Sequence, residues 1–274
     1  MNRDQAQAYK SGIADQYTRR SVDYDSSDWH DQIARKLVEY SSIRPGASIL
    51  DVATGTGMVA LYAESKIGPL GSVIGIDISE GMIEKANAKA IAAGIQNIGF
   101  KLGDAESTDF EPNSFDYIFC GSAFIWMTDL RAALVHWREL LKPNGKLGLH
   151  AFSENAFITG IVAQSVLTQY GVNYLMNKPT GTVEKCQALL EQAGYRKLEI
   201  KIDSGGSYIS LQEAKNAWLN SSCPAPGQYP SPLAVLSPGQ LADAQADYER
   251  ELETLNTESG IWNDMTTLYV FGEK

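Results

Sequence analysis

The sequence predicts an α/β protein built on a doubly wound, mostly parallel sheet. Two observations carry that reading. Short apolar runs recur along the chain with helical segments between them, at a spacing that implies βαβ units with right-handed crossovers. The first of these runs also leads straight into a glycine-rich loop, ATGTG, at the start of a helix, which is where sheets of this kind bind ligands.

Pro45-Gly46 is a turn signal, and Ser48–Val52 (SILDV) after it reads as the first strand. Residues 57–65 read as a helix and Ser72–Asp77 (SVIGID) as the second strand. Ser79 caps the next helix, EGMIEKANAKAIAAG, which stops at Gly94. A third strand follows at Ile98–Leu102 and a fourth at Phe115–Cys120 (FDYIFC). After a helix near 130–141, Pro143-Asn144-Gly145 turns the chain into a fifth strand at 146–151 (KLGLHA). Helix 182–193 ends at Gly194 and leads into a strand at 197–202, and 266–271 (TTLYVF) is the seventh. No clear crossover helix joins the last two strands, which predicts an antiparallel final strand.

The whole chain, 1–274, reads as a single domain with its ligand-binding core at 45–152. Residues 1–44 read as a polar, tyrosine-containing arm and then a helix with Ile33, Leu37 and Val38 turned inward. Between the last two strands lies an insert, 205–260, with a Pro-rich stretch (CPAPGQYPSP, 223–232) and a helix over 237–255. That is too much chain for a hairpin turn, so the insert is expected to cap the substrate site.

Composition removes several function classes. Lys+Arg is 23 against Asp+Glu 33, a net charge of −10, which suits neither a nucleic-acid backbone nor an anionic membrane. Three cysteines (Cys120, Cys186, Cys223) suggest a reducing cytoplasm rather than a disulfide scaffold. The stretch MNRDQAQAYKSG lacks the apolar core of a signal peptide, and no segment has the uninterrupted apolar length of a membrane span. His30, His136 and His150 have no metal-ligand spacing, and no CxxC pair exists, so no metal site is expected.

The glycine loop is ambiguous on its own. Gly55-x-Gly57-x-x-Ala60 fits a dinucleotide fingerprint, and Asp77 lies about twenty residues on, where a ribose-binding acid belongs. Yet Asp51 stands at the end of the first strand, just ahead of the glycines.

Four blocks in order carry a resemblance: ILDVATGTG (49–57), VIGIDISEGMIEKA (73–86), the tetrad GDAE (103–106), and FDYIFCGSAFIWMTD followed by LLKPNGKLGL. With them the chain resembles the class I S-adenosylmethionine-dependent methyltransferases, and among these the ubiquinone/menaquinone-biosynthesis C-methyltransferase group. The likeness covers about residues 35–152, with weaker agreement over 180–203. It implies a Rossmann-like fold, S-adenosylmethionine as cofactor, and a small-molecule acceptor.

Asp51 then has a reason. A nicotinamide cofactor brings a diphosphate to the helix N-terminus, where a carboxylate opposes it. S-adenosylmethionine carries a sulfonium and an ammonium and no phosphate, so the acid is compatible. The resemblance further implies that Asp77 accepts the ribose hydroxyls and that Asp104 accepts the adenine amino group, with Ala105 donating its N–H to the ring. Ile78 and Met82 would pack on the adenine. Cys120 and Gly121 would border the methionine part, with Ala53, Gly55 and Gly57 forming the loop beneath it. Ala53 departs from the family pattern, which often has Gly there. From the arm, Tyr17 is expected at the cofactor.

His150 is the best-placed base in the sequence, because strand 146–151 should end at the same sheet edge as Asp51 and Asp77; its ordinary pKa suits proton removal. Tyr24, His30 and Tyr17 in the arm are alternatives. Tyr208, Trp218 and Tyr229 of the insert, with Phe124 and Trp126, suggest an aromatic or apolar acceptor pocket. Two other classes stay in view: an NAD(P)-dependent oxidoreductase, which Asp51 disfavours, and a non-catalytic module that binds the cofactor. Whether oxygen, nitrogen or carbon is methylated, and the oligomeric state, are not legible.

Overall fold

Runs with an apolar residue at nearly every position make strands buried on both faces, and SILDV forms one in the middle of the sheet. The structure is a computed structural model and describes residues 2–26, 28–172, 177–218 and 232–274. The chain opens with α1 (Arg3–Arg20), α2 (Trp29–Ser41), β1 (Ser48–Val52), α3 (Met58–Ile67), β2 (Ser72–Asp77) and α4 (Glu80–Ala92). It continues through β3 (Ile98–Leu102), β4 (Phe115–Cys120), α5 (Leu130–Leu140), β5 (Leu141–Phe152), α6 (Ile158–Gln169) and α7 (Val183–Gln192). Last come β6 (Arg196–Asp203), β7 (Gly206–Ile209), α8 (Leu211–Asn216), α9 (Pro238–Leu255), β8 (Ile261–Asp264) and β9 (Thr267–Glu273).

Seven strands form one sheet in the order β3-β2-β1-β4-β5-β9-β6. All run parallel except β9, which is antiparallel to both β5 and β6, as the missing crossover predicts. The order reverses between β1 and β4, so the crevice for a ligand opens at the carboxyl ends of these strands.

Helices cover both faces. On one, α5 and α7 bury Leu134, Trp137 and Leu190 against Leu50, Ile118 and Leu147. On the other, α2 and α3 bury Leu37, Val38, Ala60 and Ala63 against Ile49, Phe119 and Phe271. Trp137 is fully buried, and its Nε1 donates to the Ala105 carbonyl at 2.7 Å, which ties α5 to the loop after β3. Side-chain caps start the helices where the sequence places them: Ser79 on α4, Asp129 on α5, Thr182 on α7 and Ser237 on α9.

Three parts differ from expectation. The arm is a helix, α1, begun by a capping box between Asn2 and Gln5. It buries only Tyr9 and Ile13, so it has no apolar stripe for a periodicity reading to find. Helix α6 is absent from the sequence reading because its start carries no signal: Phe157, in left-handed backbone at φ 64°, makes no side-chain cap. The third is the insert, of which residues 219–231 lie outside the described residues. Its described part, α8 and α9 with β8, packs on α6 as a separate apolar cluster around Val166, Ala214, Tyr248, Leu252 and Ile261. Trp218 lies against Tyr248 at 4.8 Å in that cluster, and Tyr208 meets Trp262 edge-on at 5.2 Å on the β7–β8 ribbon. Tyr229 and Cys223 lie outside the described residues.

Candidate functional site

The loop after β1 is a run of left-handed backbone, with φ 52° at Ala53, 56° at Gly55 and 84° at Gly57. A side chain at Gly57 would meet Phe100 Cζ at 2.8 Å and Ala86 Cβ at 3.1 Å, so only glycine fits. Ala53 holds the same conformation with a methyl group. Left-handed backbone costs an L-residue about 1–2 kcal/mol, while the extra freedom of glycine in the unfolded chain costs about 0.5–1 kcal/mol. Ala53→Gly is therefore expected to shift the urea midpoint slightly upward; a clearly lower midpoint would assign the methyl a packing role larger than its strain.

Asp77, at the end of β2, is pinned beneath this loop. Its Oδ2 accepts from Gly55 N at 2.8 Å and its Oδ1 from Ser79 N at 2.9 Å. Asp51, at the end of β1, is wholly buried; its Oδ2 accepts from the Thr54 hydroxyl, its Oδ1 has no partner at hydrogen-bond geometry, and the backbone N–H of Ala60 in α3 helps to stabilise its charge. Burial raises the pKa of both acids, that of Asp51 to about 7, with the Asp77 charge adding to the rise.

Two adjoining cavities sit above these acids. The larger, which opens to solvent, is floored by Ala53, Gly55, Asp77, Ile78, Asp104, Ala105 and Gly121 at the carboxyl ends of β1 to β4. Its roof is α1, through Tyr9, Lys10, Ile13 and Tyr17, with Trp126 and Met127 at the side. Polar contacts hold the roof down. Lys10 Nζ lies 2.7 Å from Asp104 Oδ2 and 2.9 Å from Glu106 Oε2, Tyr9 donates to the Trp126 carbonyl, and the Thr18 and Ser79 hydroxyls meet at 2.9 Å.

The second cavity is lined by His30, Asp51, Thr54 and Thr56, and shares Tyr24, Ala53, Gly55, Gly121 and Ser122 with the first. The His30 ring is held between Tyr24 at 4.2 Å and Trp29 at 3.7 Å, and its Nδ1 has no partner. Burial, and then the Arg20 charge, lower its pKa to about 4, so the imidazole is neutral at neutral pH. Burial raises the Tyr24 phenol to about 12, which keeps it protonated.

The structure thus brings together most of the residues singled out in the sequence. Tyr17, Ala53, Gly55, Asp77, Ile78, Asp104, Ala105 and Gly121 line the larger cavity, Tyr24 lines both, and His30 and Asp51 line the smaller. Met82 and Cys120 are not brought there; both are fully buried in the layers behind. Gly57 acts as the tight turn into α3 rather than as cavity wall. His150 does not reach either wall: its ring is buried, and Ser122 stands between it and the cavities. Phe124 packs on Trp137 in the core, whereas Trp126 lines the larger cavity. No described residue of 205–260 lines either one.

Lys10, Glu106 and Ser122 were missed. A lysine in a polar helix carries no sequence signal, and the position of Ser122 just past β4 was the one available hint.

The donor set suits S-adenosylmethionine better than a dinucleotide. A buried carboxylate oxygen without a partner demands a cationic or neutral donor. Beside it a diphosphate would meet two acids, and Lys10, the cation among the described lining residues, is already held by Asp104 and Glu106.

Comparison with known proteins agrees. The methyltransferase-domain family matches residues 49–145. The chain is 36% identical over 117 residues to a nocamycin O-methyltransferase of Saccharothrix syringae, covering 43% of this chain and 42% of that one. It is 28% identical over 214 residues to the aklanonic acid methyltransferase DauC of a Streptomyces species, covering 71% of this chain and 96% of that one. The demethylmenaquinone methyltransferase of Staphylococcus aureus matches at 33% over 144 residues, 53% of this chain and 58% of that one. The aligned regions thus span about half the length of the nocamycin and menaquinone relatives. Among solved structures, the YcgJ protein of Bacillus subtilis has the same fold at a TM-score of 0.58 and 20% identity, covering 89% of this chain and 98% of that one.

Proposed function

Because this chain belongs to the class I S-adenosylmethionine-dependent methyltransferases, we propose that it methylates a small organic acceptor bearing an ionisable hydroxyl, carboxyl or enol. The observation that carries this reading is the pair of joined cavities, one over Asp77 and Asp104 and one holding a neutral imidazole whose Nδ1 has no partner. Bound S-adenosylmethionine supplies an electrophilic methyl group that the acceptor displaces in line.

The chain's own residues bind and align. Asp77 takes the ribose hydroxyls, since each of its oxygens keeps a lone pair beyond its backbone bond. Asp104 and Ala105 hold the adenine edge against Ile78, and Asp51 receives the ammonium. Tyr17 and the rest of α1 close over the cofactor and exclude water. Alignment is the main contribution expected, worth up to about 7–11 kcal/mol. His30 faces the acceptor through Nδ1, with Tyr24 as a neighbouring hydroxyl donor. With its pKa near 4, His30 is a weak base, so it takes the proton only as the new bond to carbon forms and the acceptor turns acidic.

An aromatic acceptor is favoured by Tyr24, Trp126 and Tyr17 around the cavities. Two free, buried thiols, Cys120 and Cys186, support a reducing cytoplasm, and no helix of the described residues is long and apolar enough to cross a membrane.

Methyl-labelled S-adenosylmethionine with naphthalene-1,4-diol, anthraquinone-2-carboxylic acid and benzylamine tests the reading. Label is expected on the diol or the acid and not on the amine. Label confined to the amine would overturn the acceptor class. Cofactor binding with no label on any acceptor would favour a non-catalytic module.

A further inference from the structure

Ser122 is the unassigned residue at the junction of the two cavities. It is not a glycine, yet it holds left-handed backbone at φ 59° immediately past β4. Such a conformation costs free energy and persists where the surroundings over-determine it. One of those surroundings is visible: Ser122 Oγ and His150 Nδ1 are 2.9 Å apart. His150 is itself caged, with Phe152 at 4.8 Å and Tyr269 at 5.3 Å, and its Nε2 is buried without a partner.

The unpartnered Nε2 decides which way the hydrogen bond runs. If the serine hydroxyl donated to Nδ1, the ring proton would sit on Nε2 as a buried donor with nothing to receive it, among the least tolerated polar states of a protein interior. If Nδ1–H donates to Ser122 Oγ, Nε2 keeps only a bare lone pair against aromatic carbon. Burial, and then the nearby His30, hold the His150 pKa down at about 3, so the doubly protonated ring does not compete. The second arrangement leaves the serine proton free to point away from His150.

We propose that Ser122 donates its hydroxyl proton to an oxygen atom of the acceptor, and that His150 is a positioning residue that fixes the rotamer of Ser122. The proposal rests on the methyltransferase reading and narrows it. Ser122 and His30 line the same cavity, and His30 Nδ1 has no partner, so an acceptor oxygen that accepts a hydrogen bond from Ser122 has a neutral imidazole close by to take its own proton. A neutral amine has one lone pair, which the new bond to the methyl carbon consumes, so none is left to accept from Ser122. The substrate class is therefore an oxygen acid or the enolate of a carbon acid.

Imidazole nitrogen NMR on the full-length protein reads the pair without any acceptor: His150 is expected in the Nδ1–H form, shifting toward Nε2–H in Ser122→Ala. Kinetics with the acceptors named above read the rest. Ser122→Ala and His150→Phe should each lower kcat about tenfold, the scale of one hydrogen bond, with cofactor affinity unchanged. The double variant should be no slower than the slower single, because both remove one unit. His150→Asn keeps an amide donor for Ser122 and should retain most of the rate, which a base at His150 would not allow. Ser122→Gly loses the same acceptor for His150 as Ser122→Ala but relieves φ 59°, so it should unfold at a higher midpoint than Ser122→Ala and turn over no faster, a combination a purely structural serine would not give. An Nε2–H tautomer, additive losses, or full rate in Ser122→Ala on an acceptor the native enzyme labels would each overturn the proposal alone. No label from the native enzyme on any acceptor would overturn the methyltransferase reading and this proposal together.

Discussion

S-adenosylmethionine is expected to bind about tenfold more weakly for each pH unit below 7, and the dependence should vanish in Asp51→Asn. Burial holds Asp51 at a pKa of about 7, so near neutrality the group is divided between acid and carboxylate. Only the carboxylate attracts the ammonium, and below pH 7 binding must first expel a proton. The stability of the ligand-free protein should move the opposite way. The folded pKa of Asp51 lies above its ordinary value of 3.8, so ionisation penalises the native state. That penalty is absent below about pH 4, grows between pH 4 and 7, and is complete above 7. Asp51→Asn should therefore be more stable than the native chain at pH 8 and bind the cofactor worse there. Titration calorimetry and thermal unfolding across pH 5–8 measure both. A native protein whose affinity is flat with pH would place the ammonium elsewhere.

The second large effect is expected at Asp77. Hydrogen bonds to a charged group contribute about 1.5–3 kcal/mol each, so losing two in Asp77→Ala should weaken cofactor binding tenfold to a thousandfold. The structure adds a second cost, because the backbone N–H groups of Gly55 and Ser79 lose their acceptor together. Asp77→Asn keeps one carbonyl oxygen and should fall between the native protein and Asp77→Ala. With the fold verified by circular dichroism, unchanged affinity in Asp77→Ala would remove this residue from the site.

The sheet and the floor of the larger cavity were legible because they follow from local rules. Buried parallel strands are continuous apolar runs, several of their helices begin at Ser, Thr or Asp caps, and Asp51, Asp77 and Asp104 lie at or just past the ends of three consecutive strands, so strand order alone brings them to one edge. The loop signal at Gly55 and Gly57 is local as well, since positive φ there excludes other residues.

What covers that floor was decided by contacts between distant segments. The polar sequence of α1 has no apolar stripe; it lies over the cofactor cavity because Lys10 finds Asp104 and Glu106, and Tyr9 finds Trp126. The insert, long enough to be a lid, places its described helices on α6 because their apolar residues and those of α6 complete one another. His150 and Ser122 stand 28 positions apart. Strand alternation places His150 near the sheet edge, but only packing of Phe152 and Tyr269 around its ring turns it from the cavity toward the serine. The sequence by itself determined the sheet, the cofactor class and the acids beneath it, because backbone preference and strand order act within or between neighbouring elements. The roof of the larger cavity and the side chains lining the smaller one were left to tertiary structure, because polar clasps and buried ring orientations exist only once remote side chains meet.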